Sequence, residues 1–203
     1  MAVSTYQGQA TEGVEAYLDE RGIGLRERLM FRLGVVGGSD ILPEHSRYTG
    51  MLAIPYLDRK GAPLSIRFRC LQQHDHRESG HGKYNSMAGE IGRMYNIKAI
   101  FKAEDIMHVC EGELEAVIMT RLGYPAVALP GAQAWKSHHR RMLAGFSRIY
   151  VWGDPDEAGA EFSRKVAGSM RQAKIIVPKL GDINETFNLG GPDAIADLIE
   201  KAG

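Results

Sequence analysis

From about residue 105 the chain alternates short, almost continuous apolar runs with amphipathic stretches. DIMHVCEG is followed by ELEAVIMTRLG, PAVALPG by AWKSHHRRMLAGF, and SRIYVWGD by DEAGAEFSRKVAGSMRQA; AKIIVPKL closes the series. A strand that is apolar on both sides is covered on both faces. Strands of that kind separated by helices pair in parallel. From about residue 105 this pattern implies an α/β unit, four parallel strands covered by helices on both faces. A last helix is expected after Pro192, a residue suited to a first helical turn.

All strands of a parallel sheet point the same way, and ligands of such sheets bind beyond their carboxyl ends. Acidic residues stand at those ends here. Glu111 follows the first strand, with Glu115 one helical turn on. Asp154 and Asp156 follow the third. Asp182, Asn184 and Glu185 follow the fourth in GDINE. Taken singly, an Asp before a helix is a cap. Carboxylates gathered from three strand ends repel one another at a cost of several kcal/mol, or take up protons. A hard divalent cation removes that cost, and a set without Cys or His suits Mg²⁺ or Mn²⁺. Two such ions can hold a nucleophilic oxygen and a phosphate together.

The first half has another character. Residues 13–33 read as two short helices broken at Gly22-Ile23-Gly24, with apolar stripes of Val14, Tyr17 and Leu18, and of Leu29, Met30 and Leu33. A hairpin follows: Met51 to Tyr56 as one strand, DRKG as the turn, and LSIRFRC as the other. In it Ile66, Phe68 and Cys70 face inward, and Arg67 and Arg69 share the outer face. Those two arginines suit either an exposed polar face or phosphate contact. Residues 71–82, LQQHDHRESGHG, read as a solvated, mobile loop. His74, His76 and His81 match no strong ligand spacing, so no zinc is expected. Cys70 and Cys110 read as buried free thiols of a reducing compartment. His138, His139, Arg140 and Arg141 form a basic helix segment read as a solvated face, and Trp135 and Trp152 read as core anchors.

The 203 residues carry 25 Lys and Arg against 25 Asp and Glu, so no net field draws in nucleic acid; only a local basic stripe could. The opening lacks a basic, apolar signal pattern, and no apolar stretch approaches the ~20 residues of a membrane span. A cytoplasmic location without membrane partners is the expectation. No Gly-rich phosphate loop is present, which argues against an ATP motor and against a Rossmann dinucleotide site.

The motifs EGELEA, GDPDEAG and GDINE, in this order, resemble the TOPRIM domain shared by bacterial DnaG-type primases, phage primase-helicases, topoisomerases and some nucleases. AYLDERGIGLRERLMFRLG is similar to the opening of the DnaG-type catalytic core, AIPYLDRKGAPLSIRFRC to its strand pair, and GKYNS to a further segment of it. VALPGAQAWKS resembles phage and plasmid primases. The resemblance implies residues 1–104 as a smaller mixed α+β primase-core subdomain, 105–180 as TOPRIM, and 181–203 as acidic motif and C-terminal helix. It implies a metal-dependent nucleotidyltransferase of DNA replication that makes RNA primers on single-stranded DNA from ribonucleoside triphosphates. Glu111, Asp154 and Asp156 would be catalytic and, with Asp182, would ligate two or more Mg²⁺ or Mn²⁺ ions. Glu115, Asn184 and Glu185 would be secondary to that cluster. Arg67, Arg69, Lys83, Tyr84 and Asn85 would touch nucleotide or DNA. Two scattered cysteines cannot build the zinc module that primases usually carry, so a separate template-reading protein and a replicative helicase are expected partners of a stand-alone, phage-type core. A TOPRIM nuclease, or a non-catalytic protein that binds DNA or helicase, is the alternative.

Overall fold

The computed structural model describes residues 2–76 and 78–203. It forms two compact units, Met1–Leu57 with Ala62–Ile91, and Asp58–Gly61 with Gly92–Gly203.

The first unit opens with helices α1 (Ala2–Gln7), α2 (Glu12–Glu20) and α3 (Leu25–Phe31). Thr11 caps α2, its hydroxyl accepting from the Val14 amide at 3.4 Å. The Gly22-Ile23-Gly24 break separates α2 from α3. Arg28 ties them: its guanidinium donates to the Ile23 carbonyl at 3.2 Å and to Asp19 at 2.5 Å. Strands β1 (Gly34–Val35), β2 (Leu52–Leu57), β3 (Pro63–Arg69) and β4 (Tyr84–Ser86) form an antiparallel sheet in that order. Ile66, Phe68 and Cys70 are buried, as the alternation of LSIRFRC predicts. They join Val3, Tyr6, Val36, Tyr48, Met51 and Ala53 in one core, where the Tyr48 and Phe68 rings stack at 4.1 Å.

The second unit carries the parallel sheet. Its elements are β5 (Ile106–Cys110), α4 (Glu113–Arg121), β6 (Ala126–Ala128), α5 (Ser137–Leu143), β7 (Arg148–Trp152), α6 (Glu157–Ala167), β8 (Ala173–Ile176) and α7 (Ile183–Ala202). The order is β6-β5-β7-β8, every pair parallel. Met107, Val109, Ile149 and Val151 pack on one face with Leu143, Phe162 and Val166, a core that includes Trp135. Trp152 is 1% exposed and belongs to the buried interior, as expected. Among the described residues no helix is long and apolar enough to cross a membrane.

Several expectations need correcting. Leu29 and Met30 are exposed, and Leu33 alone of that stripe is buried. α3 ends at Phe31, and Arg32 turns left-handed (φ 56°), so the helical register that would align the three stops short. Arg69 is buried rather than outward in solvent, because aromatic rings cover its side of the sheet. His139 leaves the basic face of α5 and is buried, its Nδ1 accepting from the Lys136 amide at 3.2 Å. α7 starts well before Pro192; Gly191 (φ 68°) breaks it and Pro192 restarts it. Residues 92–104 pack with the second unit, although strand and helix periodicity begins only near 105. Tyr95 explains this, pairing with Ala128 at the edge of β6.

Gly34 illustrates how tightly α1 lies on the first sheet: a Cβ there would run into the Tyr6 backbone carbonyl. Gly34→Ala is expected to cost ~1–3 kcal/mol, the usual penalty of overpacking. Gly13→Ala, in open space on α2, is expected to gain ~0.4–1 kcal/mol. Chemical denaturation of the two variants checks both signs.

Candidate metal centre and basic patch

β5 ends at Cys110, and Glu111 and Gly112 lead into α4. Gly112 is the N-cap of that helix. Glu115 bends back so that its carboxylate accepts from the Gly112 amide; a Cβ on Gly112 would lie 2.6 Å from Glu115 Oε1. At the end of β7, Gly153 and Gly159 let α6 lie directly against the Asp154 backbone. A Cβ on Gly153 would meet Ser163 Oγ and lie 2.6 Å from the Gly159 carbonyl, and one on Gly159 would overlap Asp154 itself. Asp156 caps α6, accepting from the Gly159 amide at 2.7 Å. Beyond β8, Asp182 and Glu185 form a reciprocal cap on α7: the Glu185 amide donates to Asp182 at 2.8 Å, and the Asp182 amide to Glu185 at 3.2 Å.

These turns bring the acids within each other's fields. Burial, then the charges of Asp154 and Asp156, push the Glu111 carboxyl up to about 7. The Asp154 amide donates to it, yet Glu111 Oε2 is buried without a hydrogen-bond partner among the described residues. Burial, then Asp154 and Asp182, hold Glu115 well above the carboxylate range. Cys110 beneath them is raised by burial and by Glu115 and Asp154. So the charges of Asp154 and Asp156 reach Glu111, and those of Asp154, Asp182 and Glu111 reach Glu115. Glu185 is exposed and faces its own cap, and Asn184 is buried in the first turn of α7. Two acid-cluster features escaped the sequence reading. Glu113, at the first turn of α4, is also buried, and the Tyr95 hydroxyl is raised by its own burial and then by the Glu113 charge. His108 on β5 is held neutral by burial, down to about 3, while its Nδ1 accepts from Trp152 Nε1 at 3.0 Å.

The first unit holds a group of opposite sign. Arg67, Arg69 and Tyr84 are neighbours in the β3–β4 ladder. The Arg67 guanidinium lies 4.3 Å from the centre of the Tyr84 ring. That of Arg69 lies 4.8 Å from Tyr84 and 4.9 Å from Tyr17 of α2, and it donates to the Tyr84 hydroxyl. Arg69 Nε is buried without a partner among the described residues. Lys83 is lowered by burial and by the cations Arg69 and Arg21. Tyr17 and Arg21, four residues apart on α2 and its C-cap, were missed; an aromatic–Arg pair at helical spacing beside a basic strand is the signal that finds them. Asn85 is occupied locally, its amide bonded both ways to the Gly82 backbone at 2.7 and 3.1 Å. The expected solvated loop contains a further cluster: Cys70, His74, His76 and His81 place one donor atom each within 4.8 Å of one another.

No protein-family profile matches the chain. It is 36% identical over 157 residues to the Gene 57 protein of Mycobacterium phage D29, covering 75% of this chain and 99% of that one. Among solved structures it resembles the Aquifex aeolicus primase with zinc-binding and RNA polymerase domains (TM-score 0.78, 17% identity, 99% of this chain), of which it spans 59%. It also resembles a DnaG primase catalytic domain bound to single-stranded DNA (TM-score 0.76, 17% identity), covering 99% of this chain and 76% of that one. The chain belongs to the family of the phage Gene 57 protein, and its fold is that of the DnaG primase catalytic core, TOPRIM domain included.

Proposed function

We propose that the chain is a primase catalytic core that joins ribonucleotides on single-stranded DNA. The observation that carries this reading is the cluster at the ends of β5 and β7, where Glu111 keeps an unpartnered buried oxygen among carboxylates that repel it. The donor set fits a hard divalent cation: it is all oxygen, and its ionised form is unfavourable without one. Glu111, Asp154, Asp156 and Asp182 would hold Mg²⁺ or Mn²⁺, which when bound neutralises triphosphate and transition-state charge. In the reaction a 3′-hydroxyl oxygen forms a bond to the α-phosphorus and the bond to the β-phosphate bridge breaks, releasing pyrophosphate. Glu111 would take up the hydroxyl proton as general base or, as a ligand, hold the metal. Arg67, Lys83 and Tyr84 bind backbone phosphates and bases by charge and stacking, while Arg69, buried against Tyr17 and Tyr84, contributes its charge from beneath and positions Tyr84. Asn85 supports the turn that presents Lys83 and Tyr84.

Three results are expected. With mixed-sequence single-stranded DNA, ribonucleotides and Mg²⁺ or Mn²⁺, short RNA products form. Asp154→Ala lowers their yield at least ~100-fold. DNA loss without nucleotides would instead identify a nuclease, and intact priming by Asp154→Ala would remove the acids from the mechanism. For Lys83→Ala, titration of single-stranded DNA at several salt concentrations should give a log–log slope shallower by ~0.7, the share of one phosphate contact.

The third result concerns pH without metal. Glu111 holds its proton up to about 7 when folded, against 4.5 for the free group. The folded state therefore binds more protons across that interval, and stability falls as pH rises through it. Thermal melts in chelator should show this decline, Glu111→Gln should make it shallower while Glu115 keeps part of it, and excess Mg²⁺ at pH 8 should offset it more in the unmodified chain than in Glu111→Gln.

A further inference from the structure

The four residues Cys70, His74, His76 and His81 lie in the first unit, far in sequence from the acidic cluster and with a different chemistry. Cys70 follows β3 directly and is 5% exposed. Its amide donates to the Lys83 carbonyl at 2.9 Å, so the β3–β4 ladder runs one pair further and the intervening loop starts and ends in register. The loop is folded on itself. The Asp75 side chain accepts from the Glu78 amide at 3.1 Å, its carbonyl accepts from the Ser79 amide at 3.1 Å, and the His81 amide donates to the His76 carbonyl at 3.0 Å. The result brings three imidazoles together, His74 edge-on to His76 and His81 with ring centres 4.6 and 5.0 Å apart, and His76 and His81 tilted at 5.4 Å.

We propose that Cys70, His74, His76 and His81 bind one transition-metal cation, Zn²⁺ by preference, in a tetrahedral site. Thiolate and imidazole are the donors that select zinc over magnesium or calcium. Bonds of ~2.3 Å to sulfur and ~2.0 Å to nitrogen put the donors of such a site ~3.3–3.5 Å apart. Cys70 Sγ and His74 Nε2 already stand 3.7 Å apart, and all four donors lie within 4.8 Å of one another. Closing the set takes side-chain rotations of an ångström or so. Two details fit a ligand set better than a solvated loop. His76 Nδ1 is buried and has no hydrogen-bond partner among the described residues. His81 Nδ1 donates to the Gly82 carbonyl at 2.9 Å, which fixes the tautomer and leaves Nε2 with its lone pair for a metal, as zinc-bound histidines are commonly fixed.

The spacing Cys-x3-His-x-His-x4-His explains why the sequence did not announce the site: the ligands straddle a strand end and a folded loop. Its place gives the cation a purpose. It cross-links the end of β3 to the residues just before Lys83 and Tyr84, fixing the turn that carries both. One thiolate on Zn²⁺ leaves a net positive charge beside Lys83, which adds to the attraction for an anion.

The test is metal titration of the full chain after chelation and dialysis, with Co²⁺ as spectroscopic probe and Zn²⁺ as competitor. The expected result is one equivalent of Co²⁺ with tetrahedral ligand-field absorption and a thiolate charge-transfer band, both displaced by Zn²⁺. His76→Asn and His81→Asn should each weaken binding at least ~10-fold. Cys70→Ser should remove the charge-transfer band. Because Cys70 is buried, the two histidine variants keep the test open if that one fails to fold. Asp154→Ala should leave the cobalt spectrum intact. Absence of a stoichiometric, thiolate-bearing complex overturns the proposal, as does binding that survives His81→Asn and is lost in Asp154→Ala.

Discussion

Repulsion among carboxylates that the chain cannot separate is the constraint around which the second unit is arranged. Parallel pairing of β5 with β7 and β7 with β8 sends all three carboxyl ends to one edge. Glu111, half-buried, and Glu115, buried, then lie within reach of Asp154, with Asp182 acting on Glu115, where burial is unfavourable for charge. The surrounding backbone offsets part of this. Amides of Gly112 and Asp154 donate to Glu115 and Glu111, and helix N-termini meet Asp156 and Asp182. What they leave uncompensated is what the proposed cation would offset. Capping and the proposed metal binding would be two uses of the same orientation, since a carboxylate aimed at a helix start is also held rigid for a ligand.

The first unit answers with the reverse problem. Arg67, Arg69, Lys83 and Arg21 crowd one region, and the rings of Tyr17 and Tyr84 lie under the guanidinium groups. Aromatic faces stabilise cations without neutralising them. The patch therefore stays positively charged yet ordered, the condition for binding a phosphate chain of no fixed sequence.

Much of this was legible in residues. Unbroken apolar runs such as IMHVC and RIYVW declare two-sided burial, and the acids after them follow from strand direction alone. Alternation in LSIRFRC gives the inward residues correctly, because pleat depends only on local geometry. It fails for Arg69, since whether the other face meets solvent depends on Tyr17 and Tyr84 from elsewhere in the chain. The same limit hid the exposed Leu29 and Met30, whose register depends on where Arg32 ends a helix, and the approach of Cys70 to three histidines across a folded loop. The glycines pressed against Asp154 were invisible for another reason. A glycine in sequence signals freedom, whereas Gly153 and Gly159 serve by occupying no space.

Gly159 has a wider meaning for reading such chains. Its amide holds the Asp156 carboxylate and its α-carbon rests on the Asp154 backbone, so a single residue sets the separation of the two acids. Any side chain at that point pries α6 from the strand end while leaving every charge in place. A relative could thus retain each acidic residue and still lack a working centre. Inventories of acidic motifs alone are an incomplete criterion of competence; the small residue between them belongs to the signature.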